Sequence, residues 1–148
     1  MHNHLLIAID GSELAFEALK EGVDIAKLFG AHVTIVTVTE PWQSVMIGGT
    51  GVGAPLDDYE QVNIEWASKT LSEGKAVAEE AGVKAETVHV KDSYPADGII
   101  ATAEQRDCDM IIMASHGRRG LSRLLLGSQA NEVVTHSAVP VLIWRRKP

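Results

Sequence analysis

The sequence predicts an α/β fold: a doubly wound, open, five-stranded parallel sheet of order 3-2-1-4-5, with helices on both faces. Three observations predict it. Strand-like runs and helical patterns alternate four times before a last strand, which implies parallel strands joined by right-handed crossovers. The runs are continuously apolar, as strands buried on both faces are. The 148 residues show no repeat and no linker, so residues 1–148 are read as one domain.

The first strand is Leu5 to Ile9, ended by Asp10-Gly11-Ser12. Ser12 is a candidate N-cap for a helix whose core face is read from Leu14, Ala15, Ala18, Leu19, Ala26 and Phe29, and Gly30 stops it. Val33 to Thr39, rich in β-branched residues, is the second strand. A patternless stretch holding Gly48-Gly49-Thr50-Gly51-Val52-Gly53 follows, then a long helix from about Tyr59 to Glu80, ended by Gly82. Thr87 to Val90 is the third strand. Pro95 opens a helix that runs to about Gln105. Met110 to Met113 is the fourth strand, Gly127-Ser128 open a short helix to about His136, and Val139 to Ile143 is the fifth strand.

Composition narrows the function. Thirteen basic against twenty acidic residues give a net charge of −7, which argues against a nucleic-acid or anionic-membrane surface. No run approaches the ~18 apolar residues of a membrane span, and no secretory signal precedes the first strand. The expectation is a cytoplasmic protein with no direct membrane insertion. Cys108, alone, excludes an intramolecular disulfide and reads as a buried structural thiol. His2 and His4 read as part of a flexible polar end rather than as metal ligands.

In such a sheet, ligands bind beyond the carboxyl ends of the strands where strand order reverses, here between strands one and four. Asp10 ends strand one. Its carboxylate can accept from ribose hydroxyls, or it can stabilise the local turn. Strand four leads into Ala114-Ser115-His116-Gly117, and Gly127-Ser128 open the next helix. Glycine lets backbone amides approach phosphate oxygens, and a helix N-terminus favours an anion. The competing reading is a turn glycine and an ordinary serine cap. Arg118, Arg119 and Arg123 could neutralise a polyphosphate or form a solvated basic loop. His116 could assist an anion when charged, but shaping the turn is the favoured reading. Gly49 to Ala54 matches G-x-G-x-x-A without following strand one, and Gly74-Lys75 is no P-loop, so both are set aside.

These residues together resemble the universal stress protein family. Ile7 to Ser12 resembles its first strand and turn, Asp109 to Gly117 its fourth strand and phosphate loop, and Val139 to Ile143 its last strand. The ATP-binding branch carries G-x2-G-x9-G-S, and this chain carries Ala114-x2-Gly117-x9-Gly127-Ser128, with alanine for the first glycine. The resemblance implies ATP with Mg²⁺ held through its phosphates. Asp10 would bind ribose, Ala8 and Ile9 would line the adenosine site, and Val38 would meet adenine through its backbone. Met113 would pack near the base or sugar. Gly117, Gly127, Ser128 and Gln129 would hold phosphates, with Ala114 beside them and Arg118 as a further contact. It also implies a homodimer through the last strand, with higher oligomers open, and a regulatory role through a partner, a solute transporter being one class. No catalytic base or protein metal ligand is visible. Hydrolysis is therefore expected to be absent or slow, and slow phosphoryl transfer and a nucleotide-free dimeric interaction protein remain the alternatives.

Overall fold

The computed structural model describes residues 1–42, 56–117 and 125–147. Five parallel strands form one sheet in the order β3-β2-β1-β4-β5. They are β1 (His4–Ala8), β2 (His32–Val38), β3 (Ala85–Val90), β4 (Met110–Ala114) and β5 (Val141–Trp144). Helices α1 (Glu13–Phe29), α2 (Leu56–Glu80), α3 (Pro95–Gln105) and α4 (Ser128–His136) connect them. The glycine-rich stretch 48–53, Arg118, Arg119 and Arg123 lie outside the described residues.

The continuous apolar run of β1 serves two cores. Leu5, Ile7 and Ile9 pack with Leu19, Val23 and Leu71 on the side of α1 and α2. Leu6 and Ala8 pack with Ile99, Met113 and Val133 on the side of α3 and α4. Successive side chains of a strand point to opposite faces, so a strand covered on both must be apolar throughout.

The strand ends differ from the sequence reading for local reasons. Ile9 lies past β1, yet its N–H still donates to Val36 O at 2.9 Å. β3 starts at Ala85 rather than Thr87, because Glu86 and Thr87 pair with β2 from an exposed edge where polar residues are tolerated. β5 starts at Val141 rather than Val139. Ser137 Oγ accepts from Val139 N at 3.1 Å and donates to Val139 O at 2.8 Å, closing a turn, and Pro140 has no N–H. Ser12 caps α1 as expected, accepting from Ala15 N at 3.2 Å, and Gly30 ends that helix in the left-handed region at φ 66°.

Two expectations are corrected. Phe29 is not on the core face of α1: it stays 41% exposed and its ring rests 5.7 Å from that of His2, while Val23 fills the core. The N-terminus is not a loose polar end. Asp109 receives Asn3 N at 2.8 Å and His4 N at 3.3 Å, and pairs with His2 Nδ1 at 3.2 Å. His4 stacks on His32 with ring centroids 3.9 Å apart and bonds Thr34 Oγ1 at 2.7 Å. Burial, and then the charge of His32, hold the His4 pKa below its usual value. Cys108 is buried, and burial pushes its thiol up to about 11, as suits an inert structural group. Among the described residues, no helix is long and apolar enough to cross a membrane.

The segment after β5 is tied back to α1. Glu17 accepts from Trp144 Nε1 at 3.2 Å and from Arg146 Nε at 3.3 Å, and Arg146 Nη2 also bonds Glu17 and lies 3.7 Å from Glu13. The Arg146 hydrogen bond, then that from Trp144, holds the Glu17 carboxyl below its usual value. A carboxyl with a depressed folded pKa stabilises the fold above the ordinary glutamate value of about 4.3 and loses that contribution as pH falls through the folded value. We therefore expect Glu17→Gln to lower the melting temperature at neutral pH, with the difference from wild type closing as pH falls below the ordinary glutamate value. Thermal melts at a series of pH values check this. A difference that does not change with pH would mean that the carboxylate's charge contributes nothing.

Candidate functional site

A crevice of about 490 Å³ opens beyond the carboxyl ends of β1, β2 and β4, where the strand order reverses. Every described residue expected at the site lines it. Ala8, Ile9 and Asp10 come from the end of β1, and Val38 from the end of β2. Met113, Ala114 and Gly117 come from β4 and its loop, and Gly127, Ser128 and Gln129 from the start of α4. Arg118 lies outside the described residues.

The end of the β1–β2 ladder exposes backbone. Val36 O faces β1, since it accepts Ile9 N, and Thr39 N faces β3, since it donates to Val90 O at 2.9 Å. Alternation along a parallel strand then turns the N–H and C=O of Val38 toward β1, past the point where β1 has ended. Continued pairing would give Val38 N–H the carbonyl of Ile9; that carbonyl accepts from Thr37 Oγ1 at 2.8 Å and makes no bond with Val38. A donor and an acceptor thus face the crevice from one residue.

Asp10 has a local role as well as a position at the site. Its Oδ1 accepts from Ser12 N at 3.0 Å, which sets the turn into α1. Its Oδ2 lies against Gly117: a Cβ there would stand 2.8 Å from it. Gly127 is equally tight, with a Cβ position 2.8 Å from Ser115 O, the carbonyl that also accepts Gly127 N at 2.8 Å. Neither position needs a glycine for its φ angle. Each needs one because another part of the site occupies the space of a side chain.

The start of α4 settles the capping alternative. Gly127 is the N-cap, with no side-chain hydrogen bond, and Ser128 is the first helical residue. Ser128 is therefore not the cap, and its exposed hydroxyl lies beside first-turn amides that no capping side chain covers. Gln129 has a task the sequence did not reveal. Its Oε1 accepts from Ala96 N at 3.0 Å in the first turn of α3, whose N-cap Tyr94 supplies no side-chain bond. Its amide nitrogen is the group left to meet a ligand. Ala114, in the place of the first motif glycine, is 7% exposed and packs in the core on the α1 side, so its methyl group is largely accommodated by the protein.

His116 Nδ1 pairs with Ser115 Oγ at 3.0 Å, in keeping with a residue that shapes the turn, and its Nε2 is buried without a partner among the described residues. Among the described residues, no group of three or more His, Cys, Asp or Glu could hold a metal ion. Sequence reasoning missed the far wall, formed by Glu40, Tyr59, Asn63, Pro95 and Ile99. The spacing of Tyr59 and Asn63, four residues apart on one helix, was the available signal. It carries no meaning until the helix is placed over the crevice.

Comparison with known proteins gives the family and the fold. The universal stress protein family model matches residues 1–145. Universal stress protein MJ0531 of Methanocaldococcus jannaschii is 32% identical over 146 residues, 99% of this chain and 84% of the relative. The solved structure of MJ0577, from the same organism, has a TM-score of 0.84 at 28% identity, covering 100% of this chain and 99% of that one. Two more distant universal stress proteins share the fold. One was solved in complex with cAMP, at TM-score 0.70 and 21% identity. The other, from Archaeoglobus fulgidus, was solved in complex with dAMP, at TM-score 0.67 and 23% identity. Each of these two alignments covers 97% of both chains. From its motifs, its sheet order and its match over nearly the whole length, the chain belongs to the universal stress protein family.

Proposed function

We propose that the crevice binds an adenine nucleotide, ATP carried with Mg²⁺, and that the protein acts on a partner through its nucleotide-bound state. The observation that carries this reading is the pair of glycines whose side-chain space is already filled, Gly117 by Asp10 and Gly127 by Ser115. They bring bare backbone to the mouth of the crevice beside the uncapped start of α4, where amide donors and the helix dipole favour phosphate oxygens. Asp10 stands at the junction, suited to ribose hydroxyls, and Val38 presents a donor and an acceptor to the base. The relatives described with cAMP and dAMP support the ligand class, and the triphosphate is our extension of it. Mg²⁺ would ride on the phosphates.

The chemistry favours binding over turnover. His116 Nδ1 pairs with Ser115 Oγ and Asp10 Oδ1 accepts from Ser12 N, bonds that fit both side chains to shaping the loops of a binding site. A regulatory role follows, with a cytoplasmic partner or a membrane solute transporter as the regulated component.

We also propose a homodimer through β5. All four residues of this edge strand are half-buried in the single chain, and among the described residues no strand neighbours its outer backbone edge. Two copies pairing about a two-fold axis would satisfy that edge.

Titration calorimetry tests the site in halves. Asp10→Ala should weaken ATP and adenosine alike. Gly127→Val should chiefly weaken ATP. Ser128→Ala should weaken ATP by roughly 1 kcal/mol, the net worth of a hydrogen bond, without the helix destabilisation a lost cap would bring. Folded Gly127→Val protein that keeps the wild-type preference for ATP over adenosine would place the phosphates elsewhere. Hydrolysis by wild type at ~1 s⁻¹ or above, within the ordinary enzymatic range, and abolished by Gly127→Val, would replace the binding reading with an enzymatic one. For the dimer, a charge at Leu142 should lower the mass measured by light scattering while circular dichroism stays native. An unchanged mass would place the interface elsewhere.

A further inference from the structure

The first three turns of α2 contribute nothing to either core. Its buried residues begin at Ala67, and Leu56, Val62 and Ile64 are exposed. This part of the helix is held at two points instead. Tyr59 Oη donates to Glu40 O at 2.8 Å, just past the end of β2. Trp66 lies against the β1–α1 turn, its Cζ2 only 3.1 Å from where a Cβ of Gly11 would stand. Asn63 is one turn after Tyr59 and three residues before Trp66, on the face that joins the two anchors.

That face looks into the crevice, and Asn63 lines it together with Tyr59. The anchors fix which half of the crevice it meets. Glu40 follows the exposed backbone of Val38, and Gly11 follows Asp10, whereas Gly117, Gly127 and Ser128 belong to β4 and α4 on the other side of the reversal point. Asn63 is half-buried, and its side chain makes no hydrogen bond with any described residue. A carboxamide offers one acceptor and two donors on a planar group, which matches the adjacent donor and acceptor on an edge of adenine. A side chain of this kind, held over the base half between two anchored positions of one helix, can distinguish one base from another. The chain's exposed backbone at Val38 serves the opposite edge.

We infer that Asn63 is a specificity-determining residue that pairs with the base of the bound nucleotide and favours adenine over guanine. This rests on the nucleotide reading above. Adenine's N6 amino group and N7 suit the Asn63 carboxamide, whereas guanine offers two acceptors there, O6 and N7, so the carboxamide oxygen meets an acceptor in either orientation. On the edge that Val38 serves, guanine's O6 and N1–H reverse adenine's N6 amino group and N1.

Calorimetry of wild type, Asn63→Ala and the near-isosteric Asn63→Leu, each with ATP, adenosine and GTP, tests this, with thermal melts to confirm folding. Both variants should lose about tenfold in affinity for ATP and for adenosine, the scale of one well-made hydrogen bond, and their preference for ATP over GTP should narrow. Unchanged adenosine affinity in both variants overturns the inference while leaving the nucleotide reading intact. A loss confined to ATP assigns Asn63 to the phosphates, and an equal loss for ATP and GTP assigns it to the ribose; either result overturns base selection. Wild-type protein that binds neither ATP nor adenosine overturns the nucleotide reading and this inference with it.

Discussion

Strand β1 pairs in parallel with β2 on one side and β4 on the other, and most of the structure depends on that double commitment. Its backbone lies inside the sheet and its side chains divide between two cores, so every residue from Leu5 to Ile9 is buried. The chain leaves β1 toward one neighbour and returns to the other much later, by way of β2 and β3. The crossovers on the two sides therefore cover opposite faces and diverge at the carboxyl end of the sheet. The crevice is the gap they leave.

Part of what lines that gap is backbone. Val38 faces it with peptide groups because the ladder with β1 has run out. Gly117 and Gly127 face it without side chains because Asp10 and Ser115 stand where those side chains would be. Such a surface makes few demands on residue identity except where space is short. Ala114 fits this logic: its methyl group packs into the core, so alanine can stand where the family motif has glycine. Side chains are reserved for points where geometry must be fixed, as with Gln129 bridging α3 and α4, or Asp10 setting the turn that starts α1.

The ends of the chain are secured by polar bonds rather than by burial. Asp109 gathers the backbone before β1, and Glu17 gathers Trp144 and Arg146 after β5. Burial works against the Asp109 charge, but bonds from Asn3, His4 and His2 outweigh it and hold its carboxyl below the usual range. Both carboxylates lie where an element meets solvent, so charge-assisted bonds are available without the full cost of desolvation.

The sheet, its order and the location of the crevice were legible in the sequence, because two-sided burial and alternating elements leave a strong local pattern. The residues of the β1 and β4 ends were legible too, since their motifs are short and contiguous. Strand limits were less so: the turn at Ser137 and Pro140, and the polar edge at Glu86, depend on neighbours far along the chain. The outward position of Phe29, the order of the N-terminus and the structural task of Gln129 were hidden for the same reason. So was the whole far wall, because Tyr59 and Asn63 sit on a helix whose apolar pattern shows only which face packs. By itself the sequence determined the secondary elements, the two cores and the backbone-rich motif, all of which follow from local spacing and burial. Only the tertiary structure decided which carboxylate, amide and carboxamide stand together, because their partners lie far along the chain and are brought together by the sheet.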